Sequence, residues 1–67
     1  MKFTVEYEKE EDGRWLAEVL ELPGVLTYGK DADEAVAKAQ ALALRVVADR
    51  IEHGENAPTL MFSFASA

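Results

Sequence analysis

Sixty-seven residues are too few for two ordinary domains, and a chain of this size buries only about 60% of the surface its unfolded form exposes. It has no cysteine, which excludes disulfides and thiolate zinc sites as staples and leaves self-association as the common remedy. Thirteen Asp and Glu against seven Lys and Arg give a formal net charge of −6, a field that keeps a domain soluble, repels phosphate backbones and favours a basic partner.

No stretch approaches the roughly 20 apolar residues of a membrane span. Met1-Lys2-Phe3-Thr4 alternates and then turns acidic, unlike a signal peptide, so the expected setting is the cytoplasm.

Lys2 to Glu8 alternates, with Phe3, Val5 and Tyr7 on one face and Lys2, Thr4, Glu6 and Glu8 on the other. Period two with aromatic and β-branched residues predicts a half-buried strand. The acidic run Lys9-Glu10-Glu11-Asp12-Gly13 follows, and Asp-Gly between alternating runs is a hairpin signal. A second strand is expected over residues 14–21. Trp15, Ala17 and Val19 should join the core, while Arg14, Leu16, Glu18 and Leu20 share the opposite face. Leu16 and Leu20 on that outer face are candidate partner-binding residues, as are Glu10, Glu11 and Asp12 of the acidic hairpin.

Leu22-Pro23-Gly24 reads as a turn, in which Pro fixes φ and Gly accepts unusual angles. Val25 to Tyr28 is a short third strand closed by Gly29. Asp31-Ala32-Asp33-Glu34 opens a helix: Asp31 can cap free N–H groups, and its spacing to Glu34 is that of a capping box. The helix should run to about His53 and stop at Gly54. Around it, Glu34, Lys38, Arg45, Asp49 and Glu52 form a polar strip, and Val36, Ala39, Ala43, Val46 and Val47 face away from it. Leu42 widens the apolar arc on one side, and Leu44 with Ile51 on the other. That arc exceeds what one small sheet covers, so a second copy of the chain is expected there. Leu44, Arg50, Ile51 and Met61 are the candidate oligomer-interface residues. Thr59 to Phe64 is the last expected strand, after a turn at Glu55-Asn56-Ala57-Pro58.

The order β-β-β-α-β predicts an α+β fold of one domain spanning residues 1–67. Short turns make the first three strands an antiparallel meander, and the helix returns the chain so that strand four runs parallel to strand one. Right-handed crossover then favours the sheet order 3-2-1-4 with the helix on one face. This is the front half of a ribonuclease-H-like topology.

The motifs carry a more specific likeness. The acidic Asp-Gly hairpin, Trp15-Leu16-Ala17, Leu22-Pro23-Gly24, the turn at Gly29, Asp33-Glu34-Ala35 opening an alanine-rich helix, and Gly54-Glu55 before Pro58 together resemble the HicB-like antitoxin family, across essentially the whole chain. Members often have a cysteine where this chain has Val25, and many continue into a DNA-binding segment. This chain stops at Ala67, so it resembles a short form without operator binding. The resemblance implies a partial ribonuclease-H-like domain and a small basic ribonuclease toxin of double-stranded-RNA-binding fold as partner, neutralised by occlusion. A stand-alone oligomeric scaffold, dimeric or tetrameric and without a toxin, is the alternative.

Catalysis is not expected. A metal-dependent nuclease needs carboxylates converging from several elements. Glu6 and Glu34 could serve, but the fourth strand offers none. His53, the single histidine, fits a helix C-terminus that its charge would favour. No phosphate loop, nucleophile motif or metal-ligand cluster occurs, so no cofactor is expected. With the one helix committed to the sheet, no recognition helix remains for DNA.

Overall fold

The computed structural model describes residues 2–54 with their side chains and residues 61–66 as backbone. Strand β1 (Lys2–Lys9), strand β2 (Trp15–Val19), strand β3 (Leu26–Gly29), helix α1 (Ala32–Glu52) and strand β4 (Met61–Ser66) follow in that order. They form a four-stranded sheet ordered β3-β2-β1-β4. β1 pairs antiparallel with β2, β2 antiparallel with β3, and β1 parallel with β4. The fold is thus α+β, an antiparallel three-stranded meander with one helix and a parallel fourth strand. The expected Thr59-Leu60 start of strand four, and the assignment of its side chains to faces, lie outside the described residues.

The turns follow from local chemistry. Between β1 and β2 the Gly13 N–H donates to the Glu10 carbonyl at 3.0 Å, and the Glu10 N–H donates to the Arg14 carbonyl at 2.7 Å. Asp12 reinforces this loop by accepting the Arg14 N–H at 3.0 Å. Between β2 and β3 the Val25 N–H closes on the Leu22 carbonyl at 3.0 Å, with Pro23 and Gly24 at the two central positions. Gly24 has φ +90°, which a side chain would make costly and which matches a type II turn with proline first. This turn folds Leu22 and Val25 inward, to 2% and 5% exposure, so both belong to the core rather than to a surface loop.

Asp31 caps α1 as its spacing predicts. Its side chain accepts the Glu34 N–H at 2.7 Å, and Glu34 reaches back to accept the Lys30 N–H at 3.0 Å. At the other end, His53 is the C-cap, and its Nδ1 donates to the Asp49 carbonyl at 2.7 Å.

The helix lies on the sheet through a ridge of residues four apart: Ala35, Ala39, Ala43 and Val47 are all buried. Small side chains let the helix backbone come close to the strands. Across from the ridge lie Phe3, Val5, Ala17 and Val19, also buried. The tightest approach is at Gly29, where an added Cβ would stand 2.5 Å from the Ala35 nitrogen. The Thr27 hydroxyl fixes the same contact by donating to the Ala35 carbonyl at 2.8 Å.

Trp15 departs from its expected place in the core. It is half-buried, as is Tyr7, and the two rings pack at 6.3 Å between centroids and 44° between planes. Trp15 is opposite Gly29, whose close neighbour Ala35 is the first buried residue of the helix. Trp15 therefore sits at the end of the sheet that the helix has only begun to cover, packed against the core cluster rather than within it. Tyr7 also borders a cleft of about 270 Å³ with Ala32, Asp33 and Val36.

Candidate functional site: the open face of the sheet

One sheet face is occupied by α1, and the pleat sends alternate residues to the other. Register fixes which residues meet there. Glu6 is opposite Glu18, and Glu18 is opposite Leu26; Glu8 is opposite Leu16, and Leu16 is opposite Tyr28. Two rows thus cross the three antiparallel strands, Glu6-Glu18-Leu26 and Glu8-Leu16-Tyr28. Leu20 continues the pattern just beyond β2, where its N–H donates to the Thr4 carbonyl at 3.0 Å.

This face mixes two properties that a merely solvated sheet does not combine. Leu20, Leu26 and Tyr28 are 48%, 42% and 40% exposed, so large apolar surface is left in water. Next to it stand Glu6 and Glu18, like charges directly across a strand pair, an arrangement that weakens a sheet. With Glu8, Leu16 and Tyr7 they border a shallow hollow of about 40 Å³. Among the described residues no three His, Cys, Asp or Glu side chains stand close enough to hold a metal ion.

One corner of the face is braced. The Arg14 guanidinium lies 4.4 Å from the centre of the Tyr28 ring and bonds Asp12 Oδ2 through Nε at 2.7 Å. The Arg14 backbone N–H and guanidinium together hold the Asp12 carboxyl below its ordinary range. Asp12 is therefore engaged inside its own loop, while Glu11 is exposed and Glu10 half-buried. The acidic hairpin thus offers two uncompensated carboxylates where its sequence suggested three. Another anchor is Glu21, whose Oε1 accepts the Thr4 N–H at 2.6 Å; that bond lowers its pKa.

The candidate residues fall into two groups. Leu16, half-buried, and Leu20, exposed, lie on the open face, with Glu10, Glu11 and Asp12 at the adjoining hairpin. Leu44 and Ile51 are 44% and 49% exposed on the helix, away from the sheet, whereas Arg50 is half-buried toward the core side. The backbone of Met61 pairs with Lys2 in the β1–β4 ladder, and its side chain lies outside the described residues. Sequence reasoning missed Leu26 and Tyr28 as face residues. Parity within each strand hints at the face, but only the β2–β3 register, with Leu16 opposite Tyr28 and Glu18 opposite Leu26, puts them together.

No helix among the described residues is long and apolar enough to cross a membrane. Compared with protein-family models, curated proteins and solved structures, the chain matches none of them.

Proposed function

We propose that this chain is a protein-binding module of the HicB-like antitoxin type, which acts by covering a small basic ribonuclease and has no catalytic chemistry of its own. The observation that carries the reading is the open sheet face. Exposed Leu20, Leu26 and Tyr28 supply the apolar centre of an interface, and Glu6, Glu8 and Glu18 supply charge for a basic partner. Apolar contacts of that kind provide most of the affinity, while surrounding carboxylates steer association. The strand order with a parallel fourth strand supports a partial ribonuclease-H-like domain, and the motifs of the hairpin, the Leu-Pro-Gly turn and the helix start support the family.

The reading predicts a reading frame for a small basic ribonuclease beside this gene, and the test is a cleavage assay with that protein; absence of such a frame would also count against the reading. Added chain should block RNA cleavage, and Leu26→Glu with Glu18→Lys should abolish the block while leaving the circular-dichroism spectrum unchanged. Full cleavage in the presence of excess wild-type chain would refute the reading.

A second reading, a stand-alone oligomeric scaffold, is favoured by exposed Leu44 and Ile51 on the helix. The same assay separates the two, because a scaffold leaves cleavage untouched.

A further inference from the structure

The outer side of α1 carries a second apolar pattern, distinct from the ridge that meets the sheet. Ala37, Ala41, Leu44, Ala48 and Ile51 are spaced four, three, four and three apart, the repeat of a two-helix seam. Ala41 is half-buried and the other four are exposed. In a 21-residue helix with charged residues elsewhere on its surface, this strip bears no charge. We propose that α1 pairs antiparallel with α1 of a second copy of the chain, in a register that sets Ala41 against Ile51 and Leu44 against Ala48.

Three features select this arrangement. In that register the layers built by Ala41, Leu44, Ala48 and Ile51 each oppose an alanine to a large side chain, so the helices approach closely and evenly; an antiparallel two-fold repeats each pair. On one flank, antiparallel geometry brings Lys38 of each copy toward Glu52 of the other. Both are exposed, and the pair occurs twice in the dimer. On the other flank Gln40 comes opposite Gly54, without charge conflict. A parallel dimer instead sets Leu44 on Leu44 and Ala41 on Ala41, leaving uneven layers. One contact opposes the antiparallel pair: Arg45 meets its own copy near the axis. Asp49, one turn further on each helix, offsets that repulsion.

The dimer stacks sheet, helix, helix and sheet. Both open faces then point outward, and this association is independent of what those faces bind. A contact confined to one helix pair falls below the size of standard interfaces, so the dimer should form in the micromolar range.

Sedimentation equilibrium of the whole chain tests the proposal. Wild type should be dimeric at high micromolar concentration, and Ala48→Glu, at an exposed position, should be monomeric with unchanged circular dichroism. Lys38→Glu alone and Glu52→Lys alone should each weaken the dimer about tenfold, because each substitution acts twice, and the double variant should restore it. Arg45→Gln should tighten it. Since the chain has no native cysteine, an oxidised mixture of Ala41→Cys and Ile51→Cys proteins should cross-link between the two variants, and Ala41→Cys alone should not. A monomer at every concentration overturns the pairing. Cross-linking of Ala41→Cys with itself, or charge reversals without rescue, overturns the antiparallel register.

Discussion

Gly29 and Ala35 touch so closely that the first buried turn of the helix rests directly on strand backbone, with 2.5 Å between the Ala35 nitrogen and the place a Gly29 Cβ would occupy. Backbone lies on both sides of the gap, so no flexible side chain can move aside. Gly29→Ala should destabilise by about 1–3 kcal/mol, the range for overpacking a filled core. Urea unfolding should show a lower midpoint; an unchanged midpoint would mean that the helix can lift from β3 without cost.

Core substitutions should rank by burial rather than by size. Phe3 is 1% exposed, and Phe3→Ala should cost about 3–5 kcal/mol, most of the stability of a domain this small. Trp15 is only half-buried, so Trp15→Ala should cost about 2 kcal/mol, its tilted ring contact with Tyr7 included. Thermal melts should find the Trp15 variant folded with a lowered midpoint and the Phe3 variant largely unfolded. The reverse order would contradict the packing described here.

Acid should destabilise the domain below the ordinary carboxylate range. Glu21 and Glu34 have ordinary values of 4.5, and each is lowered in the fold chiefly by a backbone N–H bond, from Thr4 and Lys30 respectively. Asp12 is lowered from 3.8 in the same manner by the Arg14 N–H. A carboxylate lowered on folding adds stability above its unfolded pKa and loses it as pH falls through the folded one. Stability should therefore be level above about pH 5 and decline below pH 4.5. The contributions are small because all three groups face solvent. Glu21→Gln should make the decline shallower, and a chemical-denaturation series from pH 6 to 2 measures it.

Charge on the hairpin and charge on the sheet face should affect binding differently. Glu10→Lys with Glu11→Lys should slow association with a basic partner, an effect that added salt removes. Glu18→Lys, between Glu6 and Leu26, should also speed dissociation. Stopped-flow and surface-binding rates at two salt concentrations separate these effects, and equal changes in both rates for both variants would place the hairpin inside the contact. Asp12 is unsuited to this comparison, because reversing it also breaks the loop that Arg14 holds.

Local chemistry made much of the fold legible. The Asp31–Glu34 capping spacing, the Pro23-Gly24 turn and the alternation of β1 each depend on residues near one another in sequence, and the order β3-β2-β1-β4 follows from short turns and crossover handedness. What was not legible depends on where elements sit relative to each other. Trp15 has the pattern of a core residue, but its burial is decided by where the helix begins. Leu22 and Val25 flank a turn, where alternation assigns no face, yet both fold into the core cluster. Leu26 and Tyr28 join Leu16 only once register is known, so the open face was half visible. Leu44 and Ile51 stood out because helical periodicity alone excludes them from the sheet contact.

The position of β1 has a consequence for synthesis. It is the strand between β2 and β4, so the first strand of this fold waits for a neighbour that follows the helix in the chain. Until β4 has been made and has paired, β1 is an edge, with a row of backbone donors and acceptors waiting for a strand. Any other extended chain can take that place, as edge pairing does in aggregation. Nascent chains should therefore be most vulnerable in the interval between completion of α1 and arrival of β4. Slower translation of the codons for β4 should lengthen that interval and lower the yield of native protein.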